Sequence, residues 1–545
     1  MKRPVNCEGI TVVVHLQPEV AAMPKSLMQP VFLIAVACVL ALVIAGAAAP
    51  VAFGAWADAG LRWTTRHFGW FYLASVFGFV VVLVYLAFSK YGDIRLGSPD
   101  SRPDYSSFSW IAMLLAAGFG VGLVFYGMAE PVTHFLKPPY GVMAGGTPEA
   151  ARLAIQYSFF NWGIHQWAAF SVVGLVIGYH QFRRNEPGLV SVVLVPRMKG
   201  VPGATGFGHA FDVFAVVATV MGVATSLGLG VLQLNGGLNF LFGVPENTLW
   251  QAMILAAMFA AYMASTAAGL DRGIKTLSNI NLGLAVALMA YVLAVGPTLA
   301  ILETIVQGMG DYLQNIFAMS LRAGPFDDSE WASEWTIFYW AWVIAWSPFV
   351  GTFVARISHG RTIREYIIGV LVMPPLIACL WIGVFGGAAL HLELQQGAGL
   401  AAATEENITT ALFKLFDLLP LSPLLYGAGL SLIFIFLITS ADSASYIVAQ
   451  LTDRGSIHPP LAKRLTWGSL IAAICLTLIA TGGLRGLQAA AVLAALPFTF
   501  LLYAMIWALF RELASDRRTA LEELYEKHDK TPVGASIEEA RRLTD

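Results

Sequence analysis

Three short stretches of the 545-residue chain hold residue types that could do chemistry. The first is Ala116-Ala117-Gly118-Phe119-Gly120-Val121-Gly122, followed by Gly127 and Glu130-Pro131. Each glycine weakens a helix by about 1 kcal/mol relative to alanine and leaves backbone uncovered. On composition alone the stretch reads first as a close-packing face, because Gly118 and Gly122 form a small-xxx-small pair. The alternative is a locally unwound helix whose free carbonyls hold a cation beside a protein cavity. The second stretch, Phe436-Leu437-Ile438-Thr439-Ser440-Ala441-Asp442-Ser443, sets adjacent hydroxyls and a carboxylate within an apolar run. Such hydroxyls usually bond back to a carbonyl one turn earlier. A carboxylate at membrane depth is costly and marks function, and Thr439 and Ser440 are hard oxygen donors suited to an alkali cation. The third is aromatic: Trp335, Phe338, Tyr339, Trp340, Trp342, Trp346 and Phe349 in one run, Trp162, Trp167 and Phe170 in another. An interfacial belt accounts for Trp335. It fits Trp342 and Trp346 poorly, since they lie a turn or more inside. Indole faces attract a quaternary ammonium by about 0.5–2 kcal/mol per contact, so these rings could box one without a carboxylate.

The elements that must position these residues follow from composition. The apolar set AVILMFWYC makes up 57% of the chain and charged residues 12%, about half the usual share of charge. With a mean hydropathy of +0.69, this excludes an ordinary cytosolic enzyme and a disordered chain. The formal charge of −2 excludes a nucleic-acid binder, which needs a basic field. The chain reads as an all-α polytopic membrane protein. Only helices of about 20 apolar residues satisfy their backbone across a bilayer without closing a barrel. Twelve runs qualify: 30–53, 69–89, 107–135, 154–181, 211–242, 248–269, 280–309, 335–357, 364–390, 423–450, 463–482 and 487–510. With both tails cytoplasmic, the inner loops carry fifteen Lys and Arg and the outer loops seven, the asymmetry the positive-inside rule requires. The outer connection 310–334 is acidic. Residues 1–29 form a mixed cytoplasmic tail, and 513–545 a charged one with helical spacing in Leu521, Leu524 and Tyr525. Its near balance of charge reads as a solvated helix, against a lipid-contacting regulatory tail.

Catalytic readings find little support. Cys38, Cys379 and Cys475 sit in apolar runs, and Cys7 lies in the tail, so neither a disulfide framework nor a zinc site is expected. His165 has no carboxylate or second histidine at ligand spacing. The chain is expected not to be an enzyme and to need no cofactor. A channel is distinguished from a carrier by turnover, because a closed aromatic box saturates.

The runs GFGVGLVFYGMAEP, NWGIHQWAAF, TSLGLGVLQLN, YWAWVIAWSPFVGTFVARISHGRTIRE and ITSADSAS resemble, in order and spacing, those of the betaine/choline/carnitine transporter family. The resemblance spans Pro30 to Trp507. It implies two peripheral helices within 30–106 and two inverted five-helix repeats, residues 107–309 and 335–512. In such folds, helices broken at equivalent places in the two halves mark the binding site. The aromatic box falls on Trp162, Trp167, Phe170, Trp342 and Trp346. Phe170 stands where a Tyr is usual, and Val343 where many members have a third Trp. Sodium, the coupling ion, falls on carbonyls of Ala116, Phe119 and Phe436 and the hydroxyls of Thr439 and Ser440. A second sodium position would use Thr219 and the ring of Phe349, with Val223 replacing a Thr. The resemblance implies sodium symport of glycine betaine or a related trimethylammonium or sulfonium zwitterion, an osmoprotectant, across the cytoplasmic (inner) membrane of a bacterium. The alternatives are choline or carnitine-type carriage, or precursor/product antiport. Choline carriers resemble the pattern with an Asp where Gly122 stands. A homotrimer in contact with membrane lipid is implied, and no nucleic-acid partner.

Overall fold

A computed structural model of the chain describes residues 5–7, 10–12, 29–118, 120–198, 200–268, 271–325 and 330–528. Outside a short antiparallel pair, Val5–Cys7 with Ile10–Val12, the described chain is helical. In order the helices are α1 (Pro30–Ala48), α2 (Pro50–Phe88), α3 (Ser107–Gly118), α4 (Val121–Leu136), α5 (Pro148–Trp162), α6 (Ile164–Gly178), α7 (Val190–Leu194), α8 (Ala204–Phe242) and α9 (Thr248–Ala268). They continue as α10 (Asp271–Val295), α11 (Thr298–Ser320), α12 (Trp331–Glu334), α13 (Thr336–Ile357), α14 (Ile363–Gln396), α15 (Leu400–Glu406), α16 (Ala411–Asp417), α17 (Ser422–Leu451) and α18 (Leu461–His528).

Among the described residues, nine helical segments are long and apolar enough to cross a membrane. The expected third and fourth spans are not among them, because each is broken into shorter helices at glycine: α3 from α4 around Gly120, α5 from α6 at Gly163. The eleventh and twelfth runs are joined into α18 through a kink at Gly483, whose φ of 54° only glycine adopts readily.

Several boundaries differ from the hydropathy reading. Pro50 starts α2 at its first position, where the missing N–H costs nothing. The first run therefore ends at Ala48, and residues 54–68, read as a loop, are helical. Pro297 ends the seventh run near Val295, and part of the expected outer connection forms the separate helix α11. The last span continues as helix to His528, so no chain break separates it from the charged tail.

Burial separates centre from rim. The apolar window of α8 is 89% buried and that of α12–α13 is 94%, against 22% in α1 and α9. Helix α13 lies along α6 and α8, and α8 along α17 and α18. Where α6 and α13 cross, a Cβ on Gly174 would sit 2.9 Å from the Gly351 carbonyl, so glycine permits the backbone contact there.

Both ends of the helical body lie on the face that holds the basic loops. Glu512 and Asp516 of α18 pair with Arg184, each at 2.6 Å, and with Arg197 and Arg183 respectively. At the other end, Gln29 and Lys463 both reach Asp453.

Candidate functional site

Helix α3 stops at Gly118 and α4 begins at Val121, with Gly120 extended between them (φ −120°, ψ 172°). The last four carbonyls of a helix have no partner in the next turn, and Ala116 is among those of α3. Phe119 lies outside the described residues. The break brings two glycines against three indoles. A Cβ on Gly122 would collide with Cη2 of Trp342 and come within 3.2 Å of Trp162, and one on Gly120 would sit 3.5 Å from Trp346. A second break at Gly163 turns the chain between Trp162, at the end of α5, and α6. The Ile164 N–H that it frees donates to Tyr312 Oη at 3.0 Å.

The indoles form a continuous wall. Trp342 stacks on Trp346 (6.4 Å between centroids, 22° between planes), and Trp162 meets Trp342 edge-on at 6.3 Å. All three line a cavity of about 20 Å³ together with Gly120, Gly122, Gln166, Ser226, Val343 and Ser440. That volume holds about one water, so the rings must move apart to admit a larger ligand. Trp167 and Phe170 do not line it. Phe170 backs Trp346 at 6.0 Å, and Trp167 stacks edge-on behind Phe170.

Ser440 also lines a second cavity of about 120 Å³, with Phe436, Thr439, Ser443, Phe349, Trp346, Ser278 and Asn281. Phe436, Thr439 and Ser440 thus share one turn of α17 at the junction of two cavities. Thr439 donates to the Ile435 and Phe436 carbonyls at 2.9 and 3.2 Å, which leaves its oxygen lone pairs free to accept a cation. Asn281 is buried with neither amide atom partnered. Asp442 lies on neither cavity wall; it accepts a hydrogen bond from Thr266 of α9. Thr219 and Phe349 sit on facing helices, because a Cβ on Gly222 of α8 would lie 3.0 Å from the Trp346 backbone on α13. The Thr219 hydroxyl donates to the Ala215 carbonyl. Among the described residues, no group of three or more His, Cys, Asp or Glu is placed to hold a metal.

The match to known proteins decides the family. The family model described as "BCCT, betaine/carnitine/choline family transporter" covers residues 30–518. The chain belongs to that family. It is 49% identical over 500 residues to the ectoine/hydroxyectoine transporter of Virgibacillus pantothenticus, covering 92% of this chain and 99% of that one. It is 44% identical over 491 residues to the glycine betaine transporter OpuD of Bacillus subtilis (strain 168), covering 90% and 95%. To the high-affinity choline transport protein of Escherichia coli (strain K12) it is 38% identical over 466 residues, covering 84% and 68%.

In this member of the betaine/carnitine/choline family, two indoles of the box are held by residues to which the sequence pattern assigns no role. Glu130 of α4 is fully buried and accepts from Asn161 (2.8 Å), Trp162 Nε1 (2.7 Å) and Tyr339 Oη (2.7 Å), with His134 Nε2 at 3.3 Å. It pins one box indole by its edge and leaves the face free. Ser226 does the same for Trp342 Nε1 at 3.2 Å. The rule that marks a carboxylate at membrane depth applies to Glu130 as well as to Asp442, and that was the available signal. Beyond the box, Tyr126, Trp335 and Tyr339 pack at 5.5–6.1 Å and separate it from an outer cavity of about 950 Å³ lined by Trp335, Arg62, Arg66 and Glu334.

Proposed function

We propose that the chain imports glycine betaine, or a related trimethylammonium or sulfonium zwitterion, by sodium symport with alternating access. The observation that carries this reading is the cavity that Trp162, Trp342 and Trp346 line together with Ser440 and the α3–α4 break. The indole faces take the cationic head. Sodium sits one step inward, held by the Phe436 carbonyl, the Thr439 and Ser440 hydroxyls and the open end of α3. Ser440 belongs to both cavities, so each ligand orders a wall of the other's site. The nine long helices, the two glycine-broken spans and the Gly483 kink support a count of twelve spans, which this reading arranges in two inverted repeats. The basic face that carries both ends of the helical body is then cytoplasmic.

Choline fits less well, because the described wall of the box holds no carboxylate to balance a net cation. A second reading within the zwitterions is ectoine, a cyclic amidinium carboxylate. The buried Gln166 amide on the box wall favours it, as does the 49% identity to a transporter named for ectoine and hydroxyectoine.

The test is uptake of radiolabelled glycine betaine into proteoliposomes with and without an inward sodium gradient. Saturable accumulation that requires the gradient is expected. Uptake indifferent to sodium would overturn the coupling, and uptake that never saturates would mark a channel.

A further inference from the structure

Gln166 occupies the third position of α6, directly after the Gly163 break, and is 7% exposed. It lines the box beside Trp162 and Trp346, yet its Oε1 is buried without a hydrogen-bond partner. Three other polar side chains of the wall are engaged: Trp162 with Glu130, Trp342 with Ser226, and Ser226 with the Gly222 carbonyl at 3.3 Å. Two buried polar atoms of the wall stay unpaired, the Gln166 Oε1 acceptor and the Trp346 Nε1 donor. Buried amides are normally satisfied, and leaving one unmade is expensive. An unpaired acceptor and an unpaired donor on one aromatic wall complement a ligand that has N–H groups on its cation and a carboxylate beside them. A trimethylammonium head has no N–H and leaves Oε1 facing methyl groups. An amidinium donates to Oε1 through a charge-assisted hydrogen bond while its plane lies on an indole. Val343 adds no polar atom to the wall, and Gln166 supplies its one buried, unpaired amide acceptor among the described residues.

We propose that Gln166 is a specificity-determining residue, whose Oε1 accepts an N–H from the substrate and lets the box take cyclic amidinium zwitterions as well as trimethylammonium ones. This rests on the reading of the box as the zwitterion site. Removing an acceptor that a ligand N–H pairs with costs that ligand far more than one that has no N–H.

The experiment measures binding of ectoine and of glycine betaine to the purified full-length protein by tryptophan fluorescence, and competition of each against labelled uptake in proteoliposomes. The wild type should bind both compounds. Gln166→Leu should lower the ectoine-to-betaine affinity ratio by about tenfold or more. Gln166→Met keeps the side-chain length without an acceptor and should lower the ratio in the same way, so a folding defect in the leucine variant would not mask the result. If both variants lower the two affinities by the same factor, Gln166 is only structural and the proposal fails, while the zwitterion reading stands. If the wild type binds neither compound, the zwitterion reading itself falls and the role of Gln166 falls with it.

Discussion

The third and eighth spans open the two expected repeats, and the chain treats them in opposite ways. The third is broken: α3 ends at Gly118, Gly120 is extended, and α4 restarts at Val121. The eighth, α13, runs unbroken from Thr336 to Ile357 although Pro348 sits inside it. Proline removes an N–H and so orphans the carbonyl four residues earlier. Here that carbonyl belongs to Ile344, and the Ser347 hydroxyl donates to it at 2.7 Å. A hydroxyl at the weak point keeps one helix whole, and glycines at the weak point open the other. On the proposed reading the division suits two kinds of ligand. A small cation is served by bare carbonyls, which a broken helix offers. A flat aromatic wall needs fixed ring spacing, and Trp342 and Trp346 keep theirs because one straight helix sets them four residues apart.

The harshest way to break the comparison is to fill the broken span. In Gly122→Asp the new Cβ must displace Trp342, and the carboxylate favours a net cation over a zwitterion. Betaine binding should be lost almost entirely, and unlabelled choline should rise in rank as a competitor. An unchanged ranking would show that residue 122 does not govern the head group. A smaller but still large effect is expected on the intact span. Trp346→Ala removes a desolvated cation–π face worth about 2 kcal/mol, so affinity should fall by more than tenfold. Trp335→Ala, in the outer cavity, should leave affinity nearly unchanged. Equal effects in titrations of the two variants would refute the placement of the box.

The two spans also show what sequence patterning reveals. The glycine break is one of two outcomes open to alternate glycines in an apolar run, packing or unwinding, and composition alone favours packing. The aromatic wall could be read because residues four apart share a helix face. The eighth span reads as one run, 335–357, from hydropathy, but what carries it through Pro348, a hydrogen bond from the neighbouring serine, is not encoded in the pattern. Glu130 stands in the glycine-rich stretch, but its role lies in four partners spread over α4, α5 and α13, a convergence that no spacing encodes. Gln166 stands out only in the fold, where its acceptor is buried and unpaired. Trp167 and Phe170, read as box walls, stand one layer back, because the Gly163 turn changes which residues of the fourth span face inward.

The broken span also supplies the coupling test, with an effect of intermediate size. Thr439→Ala with Ser440→Ala removes the two hydroxyls proposed to hold sodium. Neither hydroxyl is part of the helix backbone ladder, so folding should persist. Apparent sodium affinity should drop severalfold, and betaine affinity at fixed sodium should drop with it, because the two binding free energies are linked reciprocally. Calorimetric titration of betaine at several sodium concentrations reads both. Wild-type sodium dependence in the double variant would place the cation elsewhere.

The smallest effect tests what keeps the eighth span whole. Ser347→Ala leaves the Ile344 carbonyl without its donor in a fully buried helix. An unsatisfied buried backbone group costs about 1–3 kcal/mol, so the melting temperature in detergent should fall. Betaine affinity should change little, because Ser347 does not line the box. Pro348→Ala restores the N–H that the Ile344 carbonyl lacks, and on that background the serine hydroxyl has no orphan to satisfy. The loss from Ser347→Ala should then shrink toward zero, giving a strongly non-additive pair in thermal melts. If the two losses simply add, the hydroxyl is not compensating for the proline. The straightness of α13 would then come from its packing against α6 and α8, and the contrast with the third span would reflect burial rather than local backbone chemistry.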